Sequence, residues 1–243
     1  MTEKRDKLFT SPARALVDFA FDDAVAAVFP DMIRRSVPGY ETVIPLTGLL
    51  AARHLSAAGM ASRTIYDLGC SLGATTLAIL RQLGERDARI VAVDNAAAMI
   101  ERAGAAITDA RVEFRLADLR TMPFEPAVVV ILNYVLQFVP PADRPVLLGA
   151  LHKALTPGGL LIVSGKIRFD DPAEQAFCEA AHLDFKRANG YSELEISGKR
   201  NALEQVMIVD TEAQHRRYFA EAGFRTVRKW YQCLNWASFV IEP

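Results

Sequence analysis

Long apolar runs are missing from this sequence. Even the aliphatic stretch Ala127 to Leu132 is far too short to cross a bilayer. The charged start MTEKRDKLFTSPAR is followed by no apolar segment of the kind a secretory signal needs. The expected location is the cytoplasm, with no membrane partner. Cysteine is scarce too: Cys70, Cys178 and Cys233 are the 3 present, far apart and odd in number. With no C-x-x-C and no His/Cys cluster, neither a disulfide framework nor a metal site is expected, and the thiols read as reduced. There is no excess charge of one sign. Lys plus Arg is 28 against 29 for Asp plus Glu, a net of −1. A protein that grips nucleic acid tightly needs a basic stripe, which this chain lacks. A local basic pocket for a small anion stays open. The histidines His54, His152, His182 and His215 are scattered and read as surface or packing residues. No Ser/His/Asp triad and no paired carboxylates are visible.

What is present suits one α/β domain over residues 1–243. The chain has 243 residues, 51% hydrophobic and 23% charged, long enough to bury a core and too apolar for disorder. There is no internal repeat. Residues 14–58 read as helices broken at Pro30 and at Val37-Pro38-Gly39-Tyr40. Strands are predicted at Thr64–Leu68, Arg89–Asp94, Arg111–Arg115, Ala127–Leu132 and Leu160–Ser164. Helices are predicted between them at Ala74–Leu83, Ala96–Ile107 and Pro140–Leu155. The β-branched run Ala127 to Leu132 marks a strand buried on both faces. This alternation argues for a doubly wound, mostly parallel sheet. The chain then closes with a helix over 211–222 and strands over 224–231 and 234–241. Those two strands have almost no loop between them and should pair antiparallel, making seven strands. Residues 168–208 break the pattern as a polar, helix-prone insertion after the fifth strand. A site cover and a solvated excursion fit that composition equally well.

In an open parallel sheet, ligands bind beyond the carboxyl ends of the strands. The first strand ends in Asp67-Leu68-Gly69-Cys70-Ser71-Leu72-Gly73, where glycines allow a tight turn and close approach of backbone to ligand. The dinucleotide fingerprint G-x-G-x-x-G is absent, because Ser71 and Thr75 fail its register. An acid, Asp94, ends the second strand, where a carboxylate can accept both hydroxyls of a ribose. A second acid, Asp118, follows the third strand, within reach of an adenine amino group. Any one of these acids alone would read as a cap or turn residue. Three at successive strand ends favour a nucleoside site.

The set Asp67, Gly69, Gly73, Asp94 and Asp118 resembles the class I S-adenosylmethionine-dependent methyltransferase fold, which is Rossmann-like. In that family the first-strand loop cradles the methionine end, the second-strand acid binds ribose, and the third-strand acid faces adenine. Ser71 replaces the usual middle glycine. The resemblance narrows through Val28-Phe29-Pro30-Asp31-Met32-Ile33, Arg35-Ser36-Val37-Pro38-Gly39-Tyr40 and the stretch Asp184 to Ser197 followed by Lys199-Arg200. Over nearly the whole chain the sequence is similar to the carboxy-S-adenosyl-L-methionine synthase family. That resemblance implies conversion of S-adenosyl-L-methionine and prephenate to carboxy-S-adenosyl-L-methionine and phenylpyruvate. It also implies a homodimer, whose product serves carboxymethylation of a tRNA wobble uridine.

The site it implies comprises Tyr40, Asp67, Gly69, Cys70, Ser71, Asp94, Asn95, Asp118, Leu119 and Asn133, with Arg200 as the residue that meets the product's extra carboxylate. An Arg offers a planar fork for that group. Lys186, Arg187 or Lys199 is expected to help hold the dicarboxylate. Where the family has Ser-Glu-Lys at the end of the fifth strand, this chain has Ser164-Gly165-Lys166. Two other readings stand beside this one. A small-molecule methyltransferase would not need Arg200, and a non-catalytic cofactor-binding protein would need no second substrate.

Overall fold

A computed structural model describes residues 5–6, 21–56, 62–204 and 206–243, the side chains of 199–204 excepted. The N-terminal segment expected over 14–58 is therefore described only from Phe21 to Ser56. Its helices are α1 (Asp23–Ser36) and α2 (Tyr40–Leu55). Asp22 caps α1 by accepting the Val25 N–H at 2.8 Å. The expected break at Pro30 does not occur. Proline costs the helix one hydrogen bond, yet Val25, Val28 and Met32 are buried around it and hold the turn together. The break falls only at Val37–Gly39, where Val37 is extended and Gly39 has φ +81°.

The sheet that follows contains β1 (Thr64–Leu68), β2 (Arg89–Asp94), β3 (Val112–Leu116), β4 (Ala127–Asn133), β5 (Leu155–Lys166), β6 (Thr226–Cys233) and β7 (Trp236–Glu242). Their order is β3-β2-β1-β4-β5-β7-β6. The first five named run parallel, and β7 is antiparallel to both β5 and β6, as the short link predicted. β4 is buried along its whole length, which is why its residues alternate in face without alternating in polarity. Alternate residues feed two cores. Ile65, Ile90, Val129 and Ile131 pack under α2 and α3 (Ala74–Leu83), while Tyr66, Val91, Val130 and Leu132 pack under α5 (Arg144–Ala154) and α8 (Glu212–Glu221). α4 (Ala97–Ala106) links β2 to β3.

Two boundaries differ from expectation by more than two residues. β5 begins at Leu155, because Leu155 already pairs with Ala127 before the register shifts to Leu160 opposite Val129. Pro157-Gly158-Gly159, expected as a turn, is thus a bulge inside the strand. The helix expected from Pro140 starts only at Arg144, as α5, after a turn in which the Asp143 N–H donates to the Pro140 carbonyl at 2.9 Å; a short 3-10 turn at Leu136–Phe138 precedes it.

The insertion forms α6 (Pro172–Ala188) and α7 (Glu193–Glu204). Its link is tied to α1. Arg35 Nε donates to the Asn189 carbonyl at 2.7 Å, and the guanidinium lies 3.8 Å over the Tyr191 ring. The Tyr191 hydroxyl donates to Asp6 at 2.8 Å, and the Asp6 N–H donates to Asp31 at 2.8 Å. Ser192 and Glu195 bond reciprocally and start α7. Since Asp6 is only 1% exposed, Tyr191→Phe removes a donor from a buried carboxylate. The expected loss in urea unfolding is about 1–2 kcal/mol; an unchanged midpoint would mean water replaces the hydroxyl.

Candidate functional site

A cavity of about 520 Å³ lies across the carboxyl ends of the parallel strands. The β1 loop forms its floor. The N–H groups of Gly69 and Cys70 both donate to the Val93 carbonyl, at 2.7 and 2.9 Å, and Gly73 N–H donates to Cys70 O at 2.8 Å. Gly69 has φ +73°, and a Cβ there would meet Val135 Cγ2 at 2.2 Å, so no larger residue fits. Ser71, the residue in place of the usual glycine, also takes a left-handed backbone at φ 51°. Its hydroxyl lies 3.5 Å from Met99 Sδ. The loop therefore keeps a left-handed turn at that position even without glycine.

Asp94 pins this loop. One carboxylate oxygen accepts the Ser71 N–H and the other the Ala96 N–H, both at 2.9 Å. Burial raises its carboxyl above the ordinary range, against the pull of those backbone donors. Gly69, Cys70, Ser71, Asp94 and Asn95 all line the cavity, as do Asp118 and Leu119 beyond β3. Asp118 is engaged by Arg120 through both carboxylate oxygens, at 3.0 and 2.6 Å, and this fork holds its carboxyl below the usual range. Burial pushes the Cys70 thiol up, so it stays protonated.

Asp67 is placed differently. It stands behind the loop, 1% exposed and outside the cavity wall, where it accepts the Thr76 hydroxyl at 2.7 Å. Burial is the main cause that lifts its carboxyl to about 6. A group whose folded pKa lies above its unfolded value stabilises the fold most below the unfolded pKa, and that contribution is lost as pH rises through the folded one. Asp67→Asn removes the titration. Relative to wild type, the variant's melting temperature is expected to gain as pH rises from about 4 to about 7, through the span between the unfolded and folded values; parallel profiles would place the Asp67 titration elsewhere.

Asn133 and Tyr40 line the cavity from β4 and α2. Asn133 Nδ2 donates to Thr75 Oγ1 at 3.2 Å, which leaves its buried Oδ1 without a donor among the described residues. The Tyr40 hydroxyl is held well above its ordinary range by burial and by the charge of Asp67. Arg200 lies in α7, and its side chain is outside the described residues, as is that of Lys199. Arg187, one of the three expected carboxylate holders, is not on the cavity wall. Asp184 and Glu193 grip it at 2.7 and 2.6 Å. Lys186 does line the cavity.

Several lining residues escaped sequence reasoning: Arg34, Tyr134, Lys166, His182 and Trp236. His182 is a packed residue, as its scatter suggested, but one on the cavity wall. Its Nε2–H donates to the Ser36 carbonyl at 2.8 Å, and burial pulls the ring down to about 3, leaving it neutral. The register of the β5–β7 pair, which sets Lys166 opposite Trp236, is the signal that could have revealed those two. Gly165 lies off the wall. A Cβ there would stand 3.2 Å from Gln137 Oε1, which accepts the Lys166 N–H. Among the described residues no group of three His, Cys, Asp or Glu could hold a metal ion, and no helix is long and apolar enough to cross a membrane.

The family model for a methyltransferase domain matches residues 65–159. Human N-acetylserotonin methyltransferase, solved with S-adenosylmethionine, superposes with a TM-score of 0.59 at 18% identity, over 98% of this chain and 59% of its own. At that identity the likeness speaks for the fold alone. The carboxy-S-adenosyl-L-methionine synthase of Shewanella amazonensis is 50% identical over 99% of both chains. That of Geobacter sp. strain M21 is 49% identical over the same shares. Likeness of this degree from end to end, on a methyltransferase sheet with a cavity at its carboxyl edge, means that the chain belongs to the carboxy-S-adenosyl-L-methionine synthase family.

Proposed function

We propose that this chain makes carboxy-S-adenosyl-L-methionine from S-adenosyl-L-methionine and prephenate, releasing phenylpyruvate and water. It acts as a cytoplasmic homodimer, and its product supplies carboxymethylation of wobble uridine in tRNA. The observation that carries this reading is the full-length likeness to the synthases. The residues present fit the nucleoside substrate. The orphaned Asn133 Oδ1 is an acceptor suited to the α-ammonium of the methionine end. In this reading Asp94 takes the ribose hydroxyls, and Asp118 and Leu119 flank the adenine. Asn95 and Tyr40 complete the wall, while Gly69, Cys70 and Ser71 receive the methionine portion. Asp67 acts from behind, through Thr76 at the start of α3.

The bound sulfonium supplies an acidified methyl group and the ring diene supplies carbon dioxide and hydroxide as it aromatises. The hydroxide removes the methyl proton as water, and the carbon left behind captures the carbon dioxide. The protein's own work is proximity and exclusion of water, so no side-chain base is required. Arg200 is assigned to the new carboxylate.

Mass spectrometry of ligand released from the purified protein tests the reading, with a mass of the substrate plus carbon dioxide expected. Calorimetry of both ligands tests Arg200. Arg200→Ala should weaken binding of the carboxylated ligand at least about tenfold more than binding of S-adenosylmethionine, the loss of a charge-assisted pair. Arg200→Lys recovers part, because an ammonium lacks the fork. Equal losses for both ligands would make Arg200 structural and favour a plain methyltransferase.

A further inference from the structure

The cavity spans the sheet, with its two carboxylates at one end, where Arg120 is spent on Asp118, and its two lysines at the other. Asp94 and Asp118 stand at the ends of β2 and beyond β3, and they are the only carboxylates among its described lining residues. Lys166 ends β5, three places along the sheet from β2. At the usual strand spacing that is about 14 Å away. The β1 loop and Asn133 of β4 lie between.

The far end has a distinct construction. Lys166 is directly opposite Trp236 in the antiparallel β5–β7 register, so the two side chains share a face. The Trp236 ring lies 5.8 Å from His182, and Lys186 follows His182 by one turn of α6, on the same helix face. All four line the cavity. Tyr134 lies 5.7 Å from Trp236 and 5.7 Å from Tyr40, extending the aromatic wall towards the β1 loop. His182 is neutral, so the positive charge beside this wall comes from Lys166 and Lys186. A sulfonium cation is disfavoured beside them, whereas an anion with a flat hydrocarbon body meets both an apolar wall and two charged donors.

We propose that Lys166 and Lys186 form the carboxylate subsite of the second substrate, a six-membered-ring dicarboxylate lying against the Trp236–His182 wall. The inference rests on the reading given under Proposed function. It divides the cavity into an acid-marked nucleoside end and a lysine-marked dicarboxylate end, with the β1 loop and Asn133 where the two substrates meet.

The test uses the full chain, S-adenosylmethionine and prephenate, with product followed by mass spectrometry. Lys166→Met and Lys186→Met should each raise the prephenate KM roughly 10- to 100-fold, the loss of one charge-assisted hydrogen bond. Affinity for S-adenosylmethionine should stay within about twofold, a change under one such bond. Lys186→Arg and Lys166→Arg, which keep the charge, should recover much of the loss. Unchanged prephenate KM in folded variants would overturn the subsite while leaving the overall reaction intact. Losses that fall on S-adenosylmethionine affinity would also overturn it, by assigning the lysines to the other substrate. Absence of any product from wild type with prephenate would instead sink the reaction itself, and the subsite with it.

Discussion

Arg144→Ala is expected to cost about 3–5 kcal/mol of folding stability, the scale for breaking one half of a buried ion pair. The Arg144 side chain is 0% exposed and pairs with Asp210, itself 7% exposed. Its Nε donates to the Val139 carbonyl and its Nη2 to the Ile208 carbonyl, each at 2.8 Å. One guanidinium thus joins three segments: the turn after β4, the start of α5 and the chain returning from the insertion. Removing it strands a buried carboxylate and two carbonyls at once. Asp210→Ala should cost a similar amount by leaving the buried guanidinium without its counter-charge. The double replacement Arg144→Met with Asp210→Leu should cost less than either, because no buried charge is left over. Urea unfolding of the three variants checks this. A loss below about 1 kcal/mol in the single variants, the scale of a solvated surface pair, would show that water reaches the pair.

Asp94→Ala should weaken S-adenosylmethionine binding by about 2–4 kcal/mol, since two charge-assisted hydrogen bonds go with the carboxylate. The structure adds a second cause. The same carboxylate holds the Ser71 and Ala96 N–H groups, so its loss also frees the β1 loop from β2. Asp94→Asn separates the two contributions: one carbonyl oxygen can still hold one of those donors, but the ionic acceptor for the ribose is gone. Calorimetry on the folded variants is the measurement, and unchanged affinity in Asp94→Ala would remove Asp94 from the site.

Much of the fold was legible because its causes are local. The β4 run Ala127–Leu132 declares burial on both faces, and the near absence of a link between β6 and β7 forces them to pair. The acid-lined end of the cavity was legible for the same reason, since Asp94 and Asp118 stand at or just beyond strand ends and both line it. Pro30 misled because the rule against helical proline weighs one hydrogen bond, whereas packing around Val28 and Met32 decides the outcome. Of the lysine end, only Lys186 was legible. Lys166, His182 and Trp236 come from β5, α6 and β7, and only the assembled sheet brings them together. The stretch Asp184 to Ser197 was the most family-specific motif, yet most of its polar groups are spent internally or on α1. Of its charged residues, only Lys186 reaches the cavity.

The Arg35 clasp has a mechanical consequence. Arg35 sits on α1 and grips the Asn189 carbonyl and the Tyr191 ring, while Ser36 at the end of α1 receives His182 from α6. α1 also contributes Phe29, Met32, Ile33 and Arg34 to one side of the cavity, and α6 contributes His182 and Lys186 to another. The two helices are therefore coupled as one jaw. A displacement of α6 that preserves the clasp drags α1 with it and widens the chamber on both sides in a single motion. α6 swinging alone would first have to strip Arg35 from its carbonyl and its ring.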